Sequence, residues 1–222
     1  MLGTGGCGSD AAGAEPSSPP ASASAAADAP SPDPSPSPTV DKAALQDKAK
    51  AAAIGETQMK PIGVSVAPRT QEAGDFGLAP VCGQRLAVDA EAHGSYRRVW
   101  SDQGWWIQNT VVAYTDSSGL SAVSQAKGAM EACKTYPADD EENTVLGPVQ
   151  LPSYPGIDSS YAYCLNTKRQ STTYINCVAF LAKGNIVSTV WVIHGGTQKT
   201  NSAGVIGVGS VAAEALTKSA AQ

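Results

Sequence analysis

The alternation of apolar and polar positions divides the chain before any chemistry is considered. Asp41 to Ala53, DKAALQDKAKAAA, is rich in helix formers and follows a proline tract, which predicts a helix capped by Asp41 and ended by Gly55. The stretch to Pro80 is punctuated by Gly and Pro and shows no period. Gly104 to Tyr114, GWWIQNTVVAY, alternates as a strand. Trp105, Ile107, Val111 and Ala113 fall on one face, and Trp106, Gln108, Thr110, Val112 and Tyr114 on the other. Ser117 or Ser118 then caps a helix running to about Tyr136, with Leu120, Val123, Ala126, Met130 and Cys133 at intervals of three and four and Pro137 closing it.

Ser160 to Leu165, the polar Thr167-Lys168-Arg169-Gln170 and Thr172 to Leu181 read as strand, turn and strand. A Lys183-Gly184-Asn185 turn and a strand from Ile186 to Ile193 extend them into a meander. Asn201-Ser202 opens a last helix whose stripe is Val205, Val208, Ala212 and Leu216. This order predicts an α+β domain: a mainly antiparallel sheet with helices packed on one face.

The first forty of the 222 residues hold almost nothing that a core would bury. Residues 8–40 contain eight of the fifteen prolines, among Ala, Ser and a few Asp. Such a segment cannot offset its ordering entropy and reads as a disordered Ser/Pro/Ala-rich stalk, extended by its prolines. The expected division is 1–7, the remnant of a lipoprotein signal peptide; 8–40, the stalk; and 41–222, one globular domain, large enough to bury about two thirds of its unfolded surface.

The net charge is −5 and the pI about 5.0, with Lys and Arg scattered, which argues against nucleic acid as a partner. No apolar run is long enough for a transmembrane helix; Cys177 to Ile193 is broken by Lys183-Gly184-Asn185.

Of five cysteines, Cys7 stands apart. Cys82, Cys133, Cys164 and Cys177 form an even set with no CxxC spacing and no neighbouring histidine, so disulfides are expected and zinc is not. Three pairings are possible. A hairpin centred between Gln170 and Ser171 sets Cys164 opposite Cys177 and Ala162 opposite Ala179, which leaves Cys82 to join Cys133.

Met1 to Cys7, MLGTGGC, resembles a bacterial lipobox, with Gly5 and Gly6 as the small pair and Thr4 where Leu is usual. The basic and apolar regions of a signal peptide are not present ahead of it, which implies a start further upstream or a trimmed chain. The resemblance implies an acylated Cys7, palmitate among the acyl groups, holding the protein at the extracytoplasmic face of the cell membrane.

From Val81 to Ala220 the chain resembles the extracellular sensor domain of PknH-type mycobacterial Ser/Thr kinases and of actinobacterial sensor domain-containing lipoproteins. The cues are Cys82 near the domain start, the Val111 to Cys133 strand and helix, the cysteine strand leading to Lys183-Gly184-Asn185-Ile186-Val187, and the closing helix. Val192-Ile193-His194 stands where the kinase-type domain would place the partner of the cysteine matching Cys177. The resemblance implies an α+β domain with a concave groove for an extracellular ligand; no kinase motif lies in these residues, so any signalling would pass through another protein.

Candidate chemistry is sparse. There is no GxSxG elbow, and His93 and His194 read as strand-end or surface residues, so no catalytic residue and no cofactor is assigned. Asp139 to Glu142 lacks the spacing of a calcium loop and reads as a solvated loop. Gly204, Gly207 and Gly209 lack P-loop spacing and read as helix-packing residues. The group Tyr96, Trp100, Trp105 and Trp106 is core-forming in the main. The mixed face of its strand makes Trp106, Gln108, Thr110 and Tyr114 the candidate ligand-binding residues. Two functions follow: a ligand-binding or sensory module whose extracellular ligand is unnamed, or an adhesive or scaffolding surface lipoprotein that meets a surface protein.

Overall fold

A computed structural model describes residues 40–115 and 119–220. Cys7, nearly all of the stalk and the Ser117/Ser118 cap lie outside the described residues.

The first helix, α1 (Lys42–Ala52), forms as expected, with the Asp41 carboxylate accepting from the Ala44 N–H at 3.0 Å. The stretch beyond it is less irregular than its composition suggests. It holds a 3₁₀ turn at Lys60–Ile62 and a short strand, β1 (Thr70–Gly74). Two long strands follow, β2 (Ala92–Asp102) and β3 (Trp105–Tyr114).

The next helix, α2 (Gly119–Ala132), stops short of the expected Tyr136. Thr135–Ala138 is instead an edge strand, β4, paired with β5 (Glu141–Pro148). Three forces override the helical reading. Cys133 is bonded to Cys82, the Tyr136 ring is buried in the core, and Pro137 is tolerated on a sheet edge. Leu120, placed on the apolar stripe, is 49% exposed, whereas Val123, Ala126 and Met130 are buried as expected. The acidic run is a hairpin tip: Asp139-Asp140 make the loop, Glu141 and Glu142 belong to β5, and Arg169 Nε donates to Asp140 Oδ2 at 2.8 Å.

The meander is β6 (Ser159–Arg169), β7 (Thr172–Lys183) and β8 (Ile186–His194). Its register sets Cys164 opposite Cys177 and Ala162 opposite Ala179. Both disulfides are those expected, Cys164–Cys177 and Cys82–Cys133. The last helix, α3 (Gln198–Ser219), begins one turn earlier than expected, capped by Thr197, whose hydroxyl accepts from the Thr200 N–H.

The eight strands form one antiparallel sheet in the order β1-β2-β3-β8-β7-β6-β5-β4. The chain builds β1 to β3, crosses along α2 to the far edge, and returns strand by strand until β8 pairs with β3. That crossing puts α2 on one face, while α1 and α3 cover the other. The α+β class and antiparallel sheet are as expected. Helices on a single face are not, because a sheet of this width presents two apolar faces. Val112, Tyr163, Phe180 and Val187 line the α2 side; Ile107, Val111, Ala179 and Val192 line the α1/α3 side.

Candidate functional site

Eight strands at about 4.8 Å spacing span roughly 34 Å, three times the width of one helix. On its face α2 packs over β6, β7 and β8. The β1-β2-β3 part of that face has no α-helix above it; Val112 and Tyr114 pack with Leu86 and Val88 at the 3₁₀ turn Ala87–Glu91, and the side chains beyond them form a groove. Strand register dictates the membership. Glu72 stands opposite Arg97, Arg97 opposite Thr110, Val99 opposite Gln108, and Gln108 opposite Trp191.

The groove has two lobes that share Arg97 and Gln108. One, about 300 Å³, is bounded by the Phe76–Pro80 loop, Arg85, Thr110 and Trp191. The other, about 450 Å³, opens toward the β1 edge beside Arg69, Glu72, Val99 and Trp106. Trp106 and Trp191 meet edge to face, with ring centroids 5.8 Å apart. The Gln108 amide donates to Thr110 Oγ1 at 3.2 Å. Arg97 pairs with Glu72 and lies over the Phe76 ring, 4.9 Å from its centroid. Three arginines against one paired glutamate leave the walls cationic. Two buried polar atoms on this face of β8, Thr189 Oγ1 and Trp191 Nε1, have no hydrogen-bond partner among the described residues.

Trp106, Gln108 and Thr110 thus share one surface, as alternation predicts. Tyr114 does not join them. It is fully buried in the α2-side core, and its hydroxyl donates to Asp89 Oδ1 at 3.4 Å. Asp89 also accepts from the Leu78 N–H at 3.1 Å, so Tyr114 supports the loop that walls the groove from behind. Burial raises the Asp89 carboxyl above its ordinary pKa, opposed by the bonds from Leu78 and Tyr114, and the same burial pushes the Tyr114 hydroxyl far up.

The aromatic group splits between faces. Tyr96 and Trp100 are core on the α1/α3 side, Trp105 is half-buried on that side, and only Trp106 faces the groove. His194 ends β8 with its ring 4.0 Å from that of Trp105 and its Nδ1 2.7 Å from the Gly195 carbonyl. Among the described residues no three His, Cys, Asp or Glu side chains cluster as metal ligands, and no helix is long and apolar enough to cross a membrane.

Sequence reasoning missed Arg97, Val99 and Trp191. The signal was there in Tyr96-Arg97-Arg98-Val99-Trp100, where Tyr96 and Trp100 alternate with Arg97 and Val99. Trp191 lies two positions from Thr189 on a strand whose alternation is plain. The loop wall has no such signal, since its position depends on Asp89.

No family model and no curated protein matches the chain. Among solved structures, the extracellular domain of PknH from Mycobacterium tuberculosis is similar, with a TM-score of 0.49 and 12% identity over 80% of this chain and 97% of that one.

Proposed function

We propose that this protein is a non-catalytic ligand-binding domain held by a lipid on Cys7 at the extracytoplasmic face of the membrane, with residues 8–40 as its spacer. The groove over the β1-β2-β3 part of the sheet carries the binding role. It combines two tryptophan side chains, a Gln–Thr polar pair and cationic walls, the composition expected of a small-ligand site. The ligand it suits is small, with a flat ring face to lie on Trp106 or Trp191 and an anionic group for Arg69, Arg85 or Arg97. Two disulfides support an oxidising compartment. Sensory use, as in the family that the sequence resembles, would follow if ligand occupancy were passed to another protein.

An adhesive surface would need a contiguous apolar patch. Among the described residues, the exposed large hydrophobics Val40, Val66, Leu120 and Leu146 lie in four separate segments of the chain.

A thermal-shift screen of aromatic and sugar carboxylates on the full chain tests the groove, since a ligand that binds only the folded state raises its apparent stability. Hits should disappear in Trp106→Ala and weaken in Arg97→Gln. Hits indifferent to both substitutions would overturn the assignment. Anchoring is tested separately: Cys7→Ser should move the protein from the membrane fraction to the medium or periplasm, and an unchanged distribution would refute it.

A further inference from the structure

A second pocket lies on the opposite face of the sheet, between α3 and the Lys60–Val64 segment. It is about 310 Å³ and nearly all apolar: Ile62, Val64, Trp105 and Ile107 face Ala203, Gly204, Gly207 and Val208 of α3. Thr200, at one end, is its polar lining residue. Thr200, Ala203/Gly204 and Gly207/Val208 recur at helical spacing, so the pocket follows α3 for about 12 Å.

The glycines of α3 separate packing from function. A Cβ on Gly204 would fall 2.6 Å from the Trp105 ring, and one on Gly209 would fall 2.8 Å from the Tyr154 hydroxyl oxygen. Both are required where the helix approaches a large ring. Gly207 is not: its Cβ would meet only Ile62, at an ordinary 3.8 Å. Glycine inside a helix is destabilising relative to alanine, so packing gives no reason for it here. What its missing side chain does is keep the pocket open along its length.

The geometry points to a binding site for one unbranched hydrocarbon chain with an anionic head, of the fatty-acid class. The volume is near the lower limit for small-ligand pockets and suits a single chain. The lining offers apolar contact along the pocket and one hydroxyl at its end. That end lies at the first turn of α3, where the exposed Lys199 and the positive end of a 22-residue helix favour a carboxylate. This site shares no residue with the Trp106 groove and does not depend on the role proposed for it.

The test uses the full chain and straight-chain carboxylic acids from hexanoic to hexadecanoic, below their micelle concentrations. Affinity should rise about fourfold per added methylene until the pocket is filled, then level off. An acid brominated near its methyl end should quench Trp105, and Trp105→Phe should remove most of the saturable quenching. Gly207→Leu, which puts a side chain into the pocket, should abolish binding while the melting temperature holds or rises; Gly207→Ala, whose methyl group narrows the pocket, should raise the melting temperature and weaken binding. Trp106→Ala should leave binding unchanged. Absence of saturable binding by any monomeric acid overturns the assignment, as does binding to phosphatidylglycerol vesicles alone. Binding by a folded Gly207→Leu protein equal to wild type also overturns it. If Gly207→Leu does not fold, the length series and the Trp105 quenching decide.

Discussion

Asp89 shows how one side chain sets the groove from outside it. Its Oδ1 accepts from Leu78 N–H and the Tyr114 hydroxyl, while Oδ2 is buried without a hydrogen-bond partner among the described residues. Desolvation outweighs the bonds, and the folded-state pKa lies above the ordinary 3.8. The folded protein therefore holds this proton more tightly than the unfolded chain, so the Asp89 contribution is most favourable in acid and is lost as pH rises through the raised value. Asp158 acts in the opposite sense. The Gly184 N–H and then Lys183 lower its pKa, and its contribution is lost as pH falls. Asp89→Asn retains the acceptor for Leu78 and removes the titration. The melting temperature of Asp89→Asn relative to wild type should climb with pH from about 4 upward, then become flat. A difference that is constant or falls with pH would refute the assignment of this raised pKa to Asp89.

Among the elements, α1 depends on a single missing side chain in β2. Gly94 lies beneath the helix, and a Cβ there would stand 2.4 Å from the Leu45 carbonyl carbon and 2.5 Å from the Gln46 nitrogen. Backbone cannot yield as a flexible side chain does. Gly94→Ala should cost about 1–3 kcal/mol, the range for overpacked cores, read by denaturant unfolding; a cost below about 0.5 kcal/mol would show that α1 shifts freely over the strand. This contact also marks the limit of legibility. The helix, its Asp41 cap and the Cys164–Cys177 register were written in local pattern, because caps and hairpins join residues close in sequence. The second-face location of α2 was not, for it follows from β8 inserting beside β3 after the chain has crossed the sheet. Likewise Trp106, Gln108 and Thr110 were legible from alternation within β3. Arg97 and Trp191 join them only through pairings with β2 and β8, and Tyr114 leaves the site because its ring is buried in the core and its hydroxyl is bonded to Asp89.

At the scale of the whole molecule, the two disulfides stabilise different things. Cys164–Cys177 joins adjacent strands inside a hairpin, with both residues fully buried and a separation of 13 residues. Cys82–Cys133 spans 51 residues and ties the segment after the Phe76–Pro80 wall to the end of α2. The chain-entropy model gives about 3 kcal/mol for the first and about 4 kcal/mol for the second. Their structural consequences differ more than these values. Strands β6 and β7 stay paired along their length by backbone bonds when their bridge is removed, so Cys164→Ser/Cys177→Ser should lower global stability without a local signature. The wall loop is held otherwise by the buried Leu78 and Val81 side chains, by the Phe76 N–H bond to Ser95 and by Asp89. Cys82→Ser/Cys133→Ser should therefore speed amide exchange in residues 76–85 and at the end of α2 while β3, β7 and β8 remain protected. Groove ligands should bind it more weakly even at temperatures where it is fully folded. Cys82 is half-buried while the other three disulfide-bonded cysteines are buried, so a mild reductant should open this bridge first. Equal exchange changes across the sheet and the loop would show that the bridge supports the fold as a whole rather than the groove wall.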